Sequence, residues 1–173
     1  MRAAAVGLWM WFVIFAFAYL GWGGWRIYNA YNFEVGCSGH LKRAADANTI
    51  PLAKKELGIA VEYLTANCLT EGSTAVFFHV PSADIGFLYT NLSAALDELD
   101  KIDLEKASNI EKSNMLIKLR ETILDSGKGD SITLPHGISV FPYNKSQFFF
   151  SWITGLGAIV FGCWAFFVTV DGY

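Results

Sequence analysis

Charged residues are absent from both ends of this sequence. Residues 3–25 and residues 146–170 contain no Asp, Glu, Lys or Arg and are rich in aromatic and aliphatic side chains. As α-helices, both runs are long enough to cross a bilayer core of about 30 Å. This absence predicts two transmembrane helices, at 3–25 and 146–170. It also argues against an ion pathway or proton relay inside the membrane, since such sites need ionisable side chains in the spans.

The segment between the spans lacks a cluster of basic residues. Residues 26–145 hold twelve of the 13 Lys and Arg and fifteen of the 16 Asp and Glu, which gives them a net charge of −3. A mildly acidic segment without a basic run has no electrostatic footprint for nucleic acid or for anionic lipid headgroups. We expect one soluble domain over 26–145. For the chain as a whole we expect the lipid bilayer as a partner and no nucleic acid.

The first span has two alternative interpretations. Arg2 and the small-x-small site Ala16-Phe17-Ala18 fit a cleaved signal peptide, but the apolar run continues seven residues past that site, which favours an uncleaved anchor. Basic residues near the span ends favour a cytoplasmic domain, whereas long loops translocate largely regardless of charge. We expect an integral protein of the bacterial inner membrane with an extracytoplasmic domain.

Helical periodicity dominates the soluble segment. The first helix is predicted to leave the membrane and end at Gly36. A second helical region over 38–67 changes phase at Pro51, which predicts a break there and a new helix capped by Asn48 or Thr49.

A third helix follows the start signal Pro81-Ser82-Ala83-Asp84. Its apolar residues alternate spacings of three and four, as in the seam of an antiparallel bundle or short coiled coil. A fourth helix is predicted over 104–124, stopping at Ser126-Gly127, with apolar residues around much of its circumference. The predicted seam consists of Ile85, Leu88, Leu92, Ala95, Leu99 and Ile102.

Two stretches, 73–80 and 131–141, have the composition of extended chain and could pair as a small ribbon. The predicted fold class is therefore an all-α membrane protein. Two transmembrane helices flank a small, mainly helical soluble bundle, with the short β ribbon as an optional addition.

Catalytic and metal-binding motifs are missing. His40, His79 and His136 lie in different elements without metal-ligand spacing, and neither span contains a histidine. Nucleophile-elbow, Walker and dinucleotide patterns are absent; Gly127-Lys128-Gly129 is interpreted as a turn. We therefore expect no enzyme activity and no cofactor.

The three cysteines give little sign of a disulfide framework. Cys163 lies in the second span. Cys37 and Cys68 flank the second helical region, and a continuous helix would hold them about 45 Å apart. Only a sharp reversal at Pro51 could bring them together, so a Cys37–Cys68 bridge and two unpaired thiols are both open, and the distance favours free thiols.

Small residues form a stripe along the second span. Ser151, Gly155, Ala158 and Gly162 recur at spacings of four, three and four. Such stripes are typical of helix-packing interfaces in membranes. The stripe could pack on the first span of the same chain or on another subunit.

Two functions are compatible with these observations. The first is a non-catalytic interaction protein, an accessory, assembly or scaffolding subunit of a membrane complex or a homo-oligomer, with other membrane-protein subunits or its own copies as partners. The second is a ligand-binding or sensory module. The plan of a helical domain between two spans is similar to the sensory part of chemoreceptors and two-component sensors. In those proteins a signalling module follows the second span, whereas Asp171-Gly172-Tyr173 follows it here, so a sensor would act through a separate partner.

Overall fold

The structure is a computed structural model that describes residues 2–125 and 131–170. The described chain is mostly helical with little strand, as predicted. The helices are α1 (Arg2–Phe33), α2 (Gly39–Ala45), α3 (Ile50–Ala66), α4 (Ile85–Lys101), α5 (Asn109–Ile123) and α6 (Asn144–Val170), and the strands are β1 (Leu124–Asp125) and β2 (Ser131–Ile132).

The chain divides into two compact units. Residues 1–29 and 142–173 form one, called the two-helix unit, and residues 30–141 form the other, called the central unit. Two described helical stretches are long and apolar enough to cross a membrane: α1 with its continuation to Ala45, and α6. Both contain the uncharged runs of the sequence.

The sequence predicted that the helix beginning with α1 ends at Gly36, and this prediction is wrong. A π-helical turn, Glu34–Ser38, joins α1 to α2, so that the helix continues to Ala45. Gly36 lies inside that turn, where a Cβ atom would collide with the ring of Tyr63. Gly36 therefore allows the ring of Tyr63 to pack closely and does not end the helix. The sequence pattern of one helix cannot show this, because Tyr63 belongs to another helix.

The break at Pro51 is confirmed. The chain leaves helical geometry after Ala45, and α3 begins at Ile50 with Pro51 in its first turn. Thr49 is the N-cap residue with extended backbone, although its side chain makes no capping hydrogen bond.

The C-terminus of α3 is closed by a Schellman motif. The amide of Leu69 donates to the carbonyl of Leu64 at 2.8 Å, and the amide of Cys68 donates to the carbonyl of Thr65 at 3.1 Å. Cys68 has a φ of 55°, the left-handed conformation this motif requires and glycine usually supplies.

The next two helices have side-chain N-caps. Asp84 accepts a hydrogen bond from the amide of Phe87 at 3.1 Å and starts α4. Ser108 accepts one from the amide of Glu111 at 3.2 Å and starts α5. The predicted start at residue 104 is wrong, because Asp103 instead accepts backbone hydrogen bonds in a turn. The predicted stop at Ser126-Gly127 lies outside the described residues.

The predicted ribbon is also wrong in its pairing. β2 pairs antiparallel with β1, the segment that directly follows α5. The stretch that begins at Ser73 makes one isolated bridge, to Asp84, and part of 131–141 is a 3₁₀ turn at Ile138–Val140. β1 and β2 are close in the sequence, so a short connection can pair them, whereas the stretch 73–80 is far from β2 along the chain.

The core of the central unit lies where α2, α3, α4 and α5 meet. One row of α3 residues is fully buried, as are Cys37 and Leu41 on the continuing first helix. The residues that dominate this core are Leu41, Leu57, Leu64, Ile85, Leu92, Leu99, Leu119 and Ile123.

Candidate functional site

The small-residue stripe of α6 faces α1 within the two-helix unit. Ring atoms of Tyr19 lie 3.5 Å from the position that a Cβ on Gly155 would occupy, and those of Phe12 lie 2.9 Å from the corresponding position on Gly162. Ser151 and Ala158 are half-buried on the same side. The glycines thus form hollows that accommodate aromatic side chains of the first helix.

The centre of this contact lies beside the stripe that the sequence indicated. Thr154 and Ala165 are the buried residues of α6, and Gly157 is so close to Phe15 that a Cβ would approach its ring to 2.7 Å. Phe161 stacks on Phe15, with 5.6 Å between centroids. Sequence analysis missed these residues, although Thr154, Ala158, Phe161 and Ala165 also recur at spacings of four, three and four.

A hydrogen bond joins the two helices near the termini. The indole Nε1 of Trp9 donates to the hydroxyl of Thr169 at 3.3 Å. That hydroxyl in turn donates to the carbonyl of Ala165 at 2.6 Å. Interhelical hydrogen bonds of this kind stabilise apolar helix pairs modestly.

The six predicted seam residues lie in or against the core of the central unit. Ile85, Leu92 and Leu99 are buried, and Leu88, Ala95 and Ile102 are half-buried against them. Ile102 is the residue that ends the helix rather than part of it.

The cysteines are free thiols in this structure. Cys37 is fully buried in the core, Cys68 is exposed at the end of α3, and Cys163 is exposed on α6. The chain does reverse between α2 and α3, but Cys37 and Cys68 are not bridged.

A buried carboxylate is the main polar feature of the core. Glu56 of α3 is only 2% exposed. Its Oε2 lies 2.7 Å from Nδ1 of His40, and its Oε1 lies 2.8 Å from Nη2 of Arg43, both on α2. An ionised carboxylate can only accept, so Nδ1 of His40 carries the proton in this contact.

The hydrogen bond with His40, assisted by the positive charge of Arg43, lowers the pKa of Glu56 although burial alone would raise it. Both carboxylate oxygens have partners, and among the described residues no third His, Cys, Asp or Glu joins the pair to form a metal-binding group. The cluster therefore clamps α2 to α3. Sequence analysis missed it, but Glu56 falls between Ala53 and Ala60 on the apolar face of α3, which is the signal that would have found it.

Two clefts open beside α4 in the central unit, the first against α5 and the second against the segment 131–135. One, of about 420 Å³, is bordered by the ion pair of Glu98 and Lys118. The other, of about 440 Å³, is more apolar and includes Phe87, Leu88 and Leu134 in its lining. Asn91 and Thr122 line both. Their walls offer hydrogen bonds and apolar contact for a small ligand, without a catalytic arrangement of side chains in the described residues.

Comparison with known proteins assigns no family to this chain. No family model matches the chain, and no curated protein or solved structure matches it either.

Proposed function

We propose that this chain is a non-catalytic, membrane-anchored interaction protein, an accessory, assembly or scaffolding subunit of a membrane complex or a homo-oligomer. Two transmembrane helices hold the central unit on one side of the membrane. The central unit is extracytoplasmic and the membrane is the bacterial inner membrane.

The observation that carries the proposal is the apolar outer surface of the two-helix unit. α1 and α6 contact each other along one narrow face, and large apolar residues on their other faces remain more than half exposed. An apolar surface of this size needs lipid or protein around it. The residues include Val6, Met10, Phe17 and Leu20 on α1, and Ile153, Ile159 and Phe167 on α6.

A surface for a protein partner is available on α5. Ile110 and Ile117 are 74% and 54% exposed, and their spacing of seven puts them on one face of the helix. The apolar residues of this helix therefore do not all enter the core. An exposed pair of isoleucines on a regular helix is a typical anchor for a second helix or a second copy.

Direct extraction of the full chain from its native membrane into nanodiscs tests the proposal. We expect each nanodisc to hold protein with a total mass above that of one 19.1 kDa chain. In intact membranes we expect the chain to resist alkaline extraction. Ile110→Lys with Ile117→Lys should dissociate the assembly. Glu62→Lys is the control for charge, since it changes the net charge by the same +2 at another exposed helical position. A monomer in native nanodiscs, or equal dissociation by both variants, would contradict the proposal.

A ligand-binding or sensory module acting through a separate partner is the second candidate. The apolar cleft of about 440 Å³ between α4 and the segment 131–135 favours it, because pockets of this size hold small molecules. A small-molecule screen by thermal shift tests it: a stabilising compound should lose its effect in Leu88→Trp, which fills the cleft.

A further inference from the structure

A shallow pocket lies between α1 and α6, inside the two-helix unit. Its volume is about 330 Å³, and its wall consists of Ala18, Trp22 and Trp25 on α1 and of Gln147 and Phe150 on α6. All of these residues belong to the two-helix unit, so the pocket is formed within that unit alone. Its lining is mainly apolar, with the indole of tryptophan and the carboxamide of glutamine as the polar groups.

Two polar atoms in this wall are buried without a hydrogen-bond partner among the described residues. They are the indole Nε1 of Trp22, which can only donate, and the amide oxygen Oε1 of Gln147, which can only accept. By contrast, the indole of Trp9 donates to Thr169 on the opposite helix. A buried polar group without a partner is costly, and lipid cannot supply one where water is scarce. A ligand that offers one acceptor and one donor would satisfy both atoms.

A positive charge lies beside the pocket. The guanidinium carbon Cζ of Arg26 lies 5.6 Å from the centroid of the Trp22 ring, in a cation–π contact. Arg26 is exposed, and none of the ion pairs in the described part of the chain includes it. An anion at the pocket would therefore meet a charge that no carboxylate has neutralised. The planar guanidinium matches the oxygens of a phosphate group.

The pocket lies at the ends of both uncharged runs. Trp22 is three residues before the end of the run 3–25, and Arg26 is the first charge after that run. Gln147 is the second residue of the run 146–170. Tryptophan and arginine at the ends of apolar runs are typical of the boundary between hydrocarbon and lipid headgroups. If the runs span a bilayer, the polar atoms of the pocket therefore lie at headgroup depth.

We propose that this pocket binds one anionic phospholipid whose headgroup carries a hydroxyl, as in phosphatidylglycerol. The phosphate pairs with Arg26 and accepts the indole proton of Trp22, the headgroup hydroxyl donates to Oε1 of Gln147, and the upper acyl carbons lie against Phe150. This inference rests on the membrane anchoring in the proposed function and names one lipid class as a specific partner. Phosphatidylcholine should bind less tightly, because its headgroup has no donor for Gln147 and carries no net negative charge.

Native mass spectrometry of the full chain tests the proposal. The chain is purified in mild detergent and titrated with phosphatidylglycerol or phosphatidylcholine of identical acyl chains, and the lipids retained per chain are counted. We expect one phosphatidylglycerol, with a Kd about tenfold lower than that of phosphatidylcholine, as for one charge-assisted hydrogen bond. Equal retention of the two lipids overturns the proposal. Displacement by an equal concentration of glycerophosphoglycerol, the headgroup without acyl chains, also overturns it, because the ligand would then be a soluble phosphodiester.

Three variants assign the contacts. Trp22→Phe removes the indole proton and keeps a ring, Gln147→Met removes the amide at similar length, and Arg26→Gln removes the charge. Each should raise the Kd for phosphatidylglycerol about tenfold. The matched controls are Trp164→Phe and Lys42→Gln, which remove an exposed indole of α6 and an exposed cation of α2 and should leave the Kd unchanged. Unchanged binding in the three test variants, or equal weakening in the controls, would contradict the proposed contacts.

Indole N–H signals in nuclear magnetic resonance spectra separate direct contact from indirect effects. The chain has six tryptophans, and the signal that Trp22→Phe lacks belongs to Trp22. That signal should shift when phosphatidylglycerol is added and stay in place with phosphatidylcholine. A signal that moves with neither lipid overturns the proposal. If Trp22→Phe and Gln147→Met then also lower the melting temperature in lipid-free detergent, the two side chains bond to each other instead.

Alkaline extraction of membranes separates this proposal from the membrane anchoring. A chain that resists extraction but shows no headgroup preference overturns the lipid site alone. Release of the unaltered chain overturns the anchoring and the lipid site together.

Discussion

Replacing the buried carboxylate of Glu56 should destabilise the central unit. Glu56→Gln preserves volume and removes the charge that accepts from His40 at 2.7 Å and from Arg43 at 2.8 Å. A hydrogen bond to a charged group contributes about 1.5–3 kcal/mol. The Arg43 side chain is 66% exposed, so water screens much of its share, and the expected loss is about 2–3 kcal/mol at pH 7. For a domain of about 100 residues this lowers the melting temperature by roughly 10 °C.

Cys37 provides the assay. It is fully buried in the same core, so in a Cys68→Ser, Cys163→Ser background its rate of thiol labelling in increasing denaturant reports the unfolding of the central unit. Glu98→Gln is the matched control, because that carboxylate pairs with Lys118 at the surface, where an ion pair contributes about 0–1 kcal/mol. Equal, small effects of the two substitutions would refute the assignment of Glu56 as a clamp.

The pH dependence has a defined sign. The contact with His40 holds the pKa of folded Glu56 below its usual 4.5. The stabilisation is therefore complete above about pH 4.5 and is lost as the pH falls through the lower folded-state value. The stability difference between wild type and Glu56→Gln should shrink in that acidic window. A difference that stays constant down to pH 3 would contradict the ionised, hydrogen-bonded carboxylate.

Four further predictions concern other parts of the chain. Leu92→Ala should cost about 2–5 kcal/mol in denaturant unfolding, as large-to-small core changes do, whereas the exposed Lys101→Ala should cost little, and equal small effects would place the seam outside the core. Cys68→Gly should raise stability by about 0.5–1 kcal/mol because glycine adopts the left-handed conformation without strain; a loss would mean that the thiol makes a stabilising contact. Gly157→Leu should lower the thermal stability of the two-helix unit in detergent while leaving membrane insertion intact, and no change would contradict the packing of Phe15 on this glycine. A membrane-impermeant reagent should label Asp97→Cys in intact cells, and a need for permeabilised cells would invert the predicted orientation.

The sequence determined those features that depend on local chemistry. Two runs without charge define the helices that could cross a membrane, since composition alone decides that property. Pro51 lacks an amide proton and lies where the helical periodicity changes phase, so the two together predict a break and a new helix start. The seam of α4 was readable because one helix needs only one apolar face. The serine and glutamate that start α5, Ser108 and Glu111, form the capping-box pattern and were equally readable, although the sequence analysis passed over them.

Tertiary structure decided the features that depend on what a residue faces. Gly36 resembles a helix stop in sequence, and only the ring of Tyr63 makes it a packing site. Ile110 and Ile117 look like core residues, yet α5 turns them outward. Glu56 looks like one more surface charge, and it is buried because His40 and Arg43 reach it from α2. Periodicity reports how residues are arranged around one helix, whereas burial is decided by the neighbouring helix, which lies elsewhere in the sequence.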